Sequence, residues 1–170
     1  MKKILCLILI ICVVSGVKAS NFVIPDEALR IRVIANSNSE YDQKIKLKIK
    51  EMLEIKMYNL LKDIKGVERA REIINNNLSN IESEIKSILE TENYTLGYNI
   101  NFGDNYFPKK EYNGVTYEEG YYESLVVTLG KGEGDNWWCV LFPPLCLLEA
   151  EESDKVEYKF FIEELFEKYF

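Results

Sequence analysis

The sequence predicts an α+β fold, a mixed or mostly antiparallel sheet with helices packed on one face, in a single domain. Three observations carry that expectation. Apolar residues recur at helical spacing from Glu40 to Glu92 and again from Lys155 to Tyr169. Apolar and polar residues alternate in one stretch near the start, and again in a cluster that begins after Asn93. At Asn93 a period of about 3.6 residues gives way to one of about 2, the signature of a switch from helix to strand. With 170 residues, 47% of them hydrophobic and 12% aromatic, the chain can bury one ordinary core.

The first nineteen residues stand apart from that domain. Met1, Lys2 and Lys3 precede an unbroken apolar run from Ile4 to Val14, and Val17-Lys18-Ala19 supplies the residues a signal peptidase reads. The pattern predicts a signal peptide over 1–19 and a folded domain over 20–170. The run is too short to remain as an anchor, since a spanning helix needs about 20 apolar residues. Without Lys2, Lys3 and Lys18 the exported chain holds 18 basic against 28 acidic residues, a net charge of −10. Such a field repels phosphate backbones and argues against a nucleic-acid partner. The sequence contains no histidine. Ser-His-Asp and Cys-His nucleophilic pairs and His-containing zinc sites are therefore excluded, and no catalytic, metal-binding or cofactor-binding set is expected.

The elements follow in order. Leu29, Ile31 and Val33 alternate with Arg30 and Arg32, which predicts a strand with one buried face. Ser39, with Asp42 three residues on, resembles a capping box and starts an amphipathic helix over Glu40–Ile64, stopped by Gly66. The next span, Val67–Glu92, is interrupted by Asn75-Asn76-Asn77 and Ser79. It reads as two helices, the second capped by Ser79 with Glu82. Tyr94, Leu96, Tyr98, Ile100 and Phe102 then alternate with polar residues and glycine as a strand, followed by a turn-rich region from Gly103. Asn113-Gly114 marks a tight hairpin. Strands are predicted over Tyr121–Leu129 and Trp137–Phe142, and a closing helix over Lys155–Tyr169.

The densest stretch is Gly130–Cys146, where a glycine-rich polar loop runs into aromatic and aliphatic residues and then Pro143 and Pro144. The loop lacks a Walker lysine followed by Ser or Thr, and Glu133 and Asp135 repel phosphate, so it reads as a flexible connection. Trp137 and Trp138 are adjacent and so point to opposite faces of a strand. They are core residues, or one of them anchors a partner. Gly132, Gly134, Asn136, Trp137 and Trp138 are the candidate partner-binding residues. Cys139 and Cys146 flank a turn centred between Phe142 and Pro143. They form a disulfide contributing about 2 to 3 kcal/mol by the chain-entropy estimate, or two buried thiols. Glu118, Glu119 and Glu123 lie beside Tyr121 and Tyr122, which admits a cation or sugar site against the ordinary reading of solvated surface.

Leu29-Arg30-Ile31-Arg32-Val33-Ile34-Ala35-Asn36-Ser37, then Asp42-Gln43 with the lysine-rich helix, Gly103–Pro108, and above all Asn136-Trp137-Trp138-Cys139-Val140-Leu141-Phe142-Pro143-Pro144-Leu145-Cys146 resemble the stage II sporulation protein R family. That resemblance implies a messenger rather than an enzyme. It implies export into the space between the forespore and mother-cell membranes, and a partner in the outward-facing part of a membrane-embedded aspartic protease of the mother cell. That protease then cleaves the sigma-E precursor. No small-molecule substrate is implied. Two other functions fit an exported acidic domain: a wall-associated glycosidase using two carboxylates, and a structural component of the intermembrane space.

Overall fold

The computed structural model describes residues 27–112 and 115–143. The predicted signal peptide, Asn113-Gly114, Cys146 and the predicted closing helix lie outside the described residues.

The α+β expectation is met. Strand β1 (Leu29–Ile34) is followed by helices α1 (Glu40–Leu61) and α2 (Val67–Thr91), then β2 (Tyr98–Phe107), β3 (Lys110–Tyr112), β4 (Val115–Tyr117), β5 (Gly120–Leu129) and β6 (Asn136–Phe142). Four strands form one mixed sheet in the order β2-β5-β1-β6, and β3 and β4 pair as a separate ribbon. The β1–β5 pairing is parallel, whereas β2–β5 and β1–β6 are antiparallel. Among the described residues no helix is long and apolar enough to cross a membrane.

Alternation along each strand sorts the two faces of the sheet. Leu29, Ile31 and Val33 of β1 and Leu125, Val127 and Leu129 of β5 join the core with Ile45, Ile49, Leu53 and Met57 of α1 and Ile74, Ile81, Ile85 and Leu89 of α2. Lys48 pairs with Glu92 and Lys56 with Glu84, positions that run in opposite senses along the two helices, so α1 and α2 are antiparallel. Arg71 near the start of α2 grips Glu123 of β5 through Nε at 2.7 and 2.9 Å and ties the helical layer to the sheet.

Several boundaries differ from those the pattern predicts, each for a local reason. Helix α1 stops at Leu61 rather than Ile64, and Gly66, with φ of +80°, is the turn residue from which α2 starts. Helix α2 is continuous through Asn75–Ser79 rather than split. The Asn77 side chain there donates to the Ile73 carbonyl at 2.8 Å, a bond made along a helix rather than across a break. Its end explains why the next strand begins at Tyr98 and not at Tyr94. Asn93 adopts φ of +56°, its N–H donates to Glu90 and the Tyr94 N–H donates to Leu89, which is a Schellman closure with asparagine in the left-handed position. Tyr94 is thus part of the helix terminus. Only the first part of the turn-rich region differs: 103–107 is strand rather than turn, because β2 pairs with β5 without interruption from Tyr98 to Phe107.

Candidate partner-binding face

The face of the sheet turned away from the helices is built around a buried arginine. Arg30 is 0% exposed. Its guanidinium lies 3.2 Å from the centroid of the Tyr122 ring, 5.6 Å from Phe107 and 6.0 Å from Trp138. The rings pack against one another as well, Phe107 edge-on to Tyr122 at 6.3 Å and to Trp138 at 5.6 Å. Tyr117 of the β3–β4 ribbon meets Trp138 edge-on at 4.8 Å, and the Lys110 ammonium lies 5.5 Å from the same ring. Next to it, Arg32 pairs in register with Trp138, and its guanidinium stands 5.7 Å from Phe107. Burial lowers its pKa from the ordinary arginine value. Beyond Arg32 the face continues as carboxamides and hydroxyls: Asn101 donates to Asn105 at 3.0 Å, and Asn105 donates to the Ser124 hydroxyl at 3.0 Å. The centre of this face is therefore closed, with Arg30, Phe107, Tyr122 and Tyr117 buried, and Trp138 and Lys110 are the members of the cluster that reach the surface beside the polar flank.

Trp137 takes the other side. It pairs with Val33, and the Lys50 ammonium of α1 lies 5.5 Å from its ring. The two tryptophans thus point to opposite faces, as their adjacency predicts, and both are half-buried.

Gly132, Gly134 and Asn136 lie at a third place, the end of the sheet where β1 and β5 finish. The connection there is not a free linker. Residues 130–135 are laced onto the 35–38 loop: Lys131 N–H donates to Asn36 Oδ1 at 3.0 Å, Glu133 N–H to the Asn36 carbonyl at 3.1 Å, Gly134 N–H to the Ala35 carbonyl at 2.9 Å, and Asp135 N–H to Asn38 Oδ1 at 2.6 Å. The glycines permit this approach, since a Cβ on Gly134 would stand 2.3 Å from the Ser37 carbonyl oxygen and one on Gly130 would stand 2.3 Å from Asn36 Oδ1. Beneath the clasp, Asp42 accepts from Asn36 Nδ2 at 2.9 Å and from the Ser37 hydroxyl. The Ser37 bond is the main reason its carboxyl sits below the ordinary range, against burial, which raises it. Ser39 caps α1 by accepting from the Asp42 N–H at 3.1 Å. The other half of the capping box is replaced, because the Ser39 N–H donates to Ser37 Oγ while the Asp42 carboxylate serves the loop. Lys46 Nζ reaches the Asp135 carbonyl at 3.2 Å and completes the junction between helix and loop.

The remaining candidates are dispersed. Glu118 pairs with Lys109, Glu119 accepts from Tyr106 at 3.3 Å, and Glu123 serves Arg71. The three carboxylates face three separate partners. Cys139 carries a free thiol, and Cys146 lies outside the described residues. Among the described residues no three His, Cys, Asp or Glu side chains group as metal ligands. Sequence reasoning missed Arg30 and Arg32, which alternation assigns to a solvent face. Their ring partners come from residues 107, 122 and 138, so no local pattern announces them.

The family model for Stage II sporulation protein R matches residues 25–152, which include every element from β1 to β6. The chain belongs to the stage II sporulation protein R family. A curated relative, the Stage II sporulation protein R of Bacillus subtilis (strain 168), is 40% identical over 135 residues, 79% of this chain and 60% of the relative. The chain thus spans less than two thirds of that relative's length. No solved structure matches. The arginine-centred face and the loop clasp are both parts of the stage II sporulation protein R domain, and the family assignment gives the chain a role in sporulation.

Proposed function

We propose that this chain is an exported signal of endospore formation that acts between the forespore and mother-cell membranes. It binds the outward-facing part of a mother-cell membrane aspartic protease and thereby triggers processing of the sigma-E precursor. Membership of the stage II sporulation protein R family over residues 25–152 is the observation that carries this reading. A binding role also fits the half-buried Trp138 and the exposed Lys110 whose ammonium lies 5.5 Å from its ring, an aromatic and cationic pair at the surface. The contact uses the 130–138 stretch, with Gly132, Gly134 and Asn136 holding the loop end and Trp137 and Trp138 on the strand it leads into. Binding activates only through a higher affinity for the active arrangement of the receptor than for the inactive one.

Precursor cleavage in cells that hold the protease and the precursor, with and without this chain exported, tests the reading. Cleavage is expected only with the exported chain, and cleavage that is equal without it rejects the reading. Alanine at Trp137 and Trp138, each checked for a retained fold by circular dichroism, is expected to lower cleavage at least about tenfold, as loss of an anchor residue does. A folded double variant with full cleavage moves the contact elsewhere.

A further inference from the structure

Strand β2 is one edge of the four-stranded sheet, paired to β5 on one side. Among the described residues no strand pairs with its other side. A strand edge presents a row of backbone N–H and C=O groups that pair with any extended chain offered to them. Folded proteins blunt such edges with charge, proline, bulges or short strands. Strand β2 has little of this protection. It is ten residues long, its one charged residue is Asp104, its register with β5 is unbroken, and Pro108 follows only after its end. The opposite edge, β6, has seven residues and a register shift beside Leu29 and Arg30.

The side chains narrow the choice of occupant. Tyr98, Ile100 and Phe102 point to the helical side and are only half-buried against the core, while Asn99 and Asn101 on the other side are exposed. Run antiparallel about Ile100, this stretch is its own complement. Tyr98 then stands opposite Phe102 of a second copy, Ile100 opposite Ile100, and Asn99 opposite Asn101. A two-fold axis perpendicular to the sheet keeps each face on its own side, so apolar residues meet apolar ones and carboxamides meet carboxamides. Centring on Ile100 also leaves Asp104 and Gly103 outside the paired stretch.

We infer that the chain self-associates through β2 as a two-fold homodimer in which two four-stranded sheets join into one. This stands independently of the signalling role. A ladder of about five residue pairs is small beside the roughly 800 Å² per partner of a standard interface, so the dimer is a reversible one.

Sedimentation equilibrium of the exported chain, run with two charge variants, decides the matter. The wild type is expected to shift from monomer to dimer with concentration. N99K together with N101K sets lysines opposite each other at both pairs and is expected to remain monomeric. N99K together with N101E sets lysine opposite glutamate at both pairs and is expected to restore the dimer. Both variants give up the same exposed Asn101 to Asn105 hydrogen bond, so a general loss of fold would affect them alike and would show in circular dichroism. A wild type that stays monomeric at every concentration overturns the inference, and so does a folded double-lysine variant that still dimerises, or a folded mixed-charge variant that does not.

Discussion

Tyr94 carries its ring in the core at 8% exposed, stacked on Tyr41 with 6.3 Å between centroids. Its hydroxyl is buried with no hydrogen-bond partner among the described residues. Burial, and after it the charge of Asp42, pushes the phenol pKa up to about 12. An unsatisfied buried hydroxyl costs about 1 to 3 kcal/mol, so Tyr94→Phe is expected to stabilise the fold by about 1 kcal/mol in urea unfolding. The sign of the alkaline effect follows from the raised pKa. The fold favours the neutral phenol, so its contribution is complete below about pH 10 and is lost as the pH rises toward 12. The phenylalanine variant lacks that loss, and its advantage is expected to widen in the same interval. Arg30 is the contrasting case, a charged group held by ring faces that are each worth about 2 kcal/mol when desolvated.

At the level of elements, Ser79 separates two accounts of the second helical span. As the cap of a separate helix its replacement by alanine would cost about 1 kcal/mol, whereas at an exposed position inside continuous α2 it is expected to gain a few tenths. Thermal unfolding of Ser79→Ala reads the difference, and a loss near 1 kcal/mol would mean that the helix starts anew there. The 130–135 connection is the other element whose geometry is decided by close approach. Gly134→Ala is expected to destabilise by about 1 to 3 kcal/mol, because the new methyl meets backbone rather than a movable side chain. Gly132→Ala, which would meet the Thr128 methyl at 2.7 Å and adopt φ of +68°, is expected to cost less than that clash but more than zero. A Gly134→Ala protein as stable as wild type would mean that the two loops separate without cost.

Over the whole molecule, the clasp joins the ends of β1 and β5, the start of α1 and the loop into β6, so its electrostatics bear on global stability. Asp42 is 4% exposed, and its pKa is lowered. A depressed carboxyl pKa means the fold favours the ionised form, so the contribution is present above the ordinary pKa of about 3.9 and is lost as the pH falls through the lower, folded value. Asp42→Asn is expected to cost about 2 kcal/mol at pH 7, by loss of charge-assisted bonds to Asn36 and Ser37. The gap between variant and wild type is expected to close as the pH is lowered below about 4. Guanidinium unfolding at pH 7 and pH 3 measures both, and a gap independent of pH would assign the effect to shape rather than charge.

Local pattern settled the class of fold, the site of β1, the helical middle, the β5 and β6 runs and the opposed directions of Trp137 and Trp138, because each depends on periodicity within a few residues. The stretch from Asn136 to Cys146, with its two tryptophans, carried the family resemblance. Tertiary structure alone decided the rest. The glycine-rich connection is tied down rather than free because Asn36 and Asn38, nearly a hundred residues earlier, accept hydrogen bonds from its backbone. Helix α2 runs through three asparagines because Ile74 and Ile81 on either side pack into the same core, and burial outweighs weak helix propensity. Arg30 is interior rather than solvated because three rings from separate strands close over it. Alternation fixes which face of a strand a side chain takes, but only the other strands determine whether that face meets water.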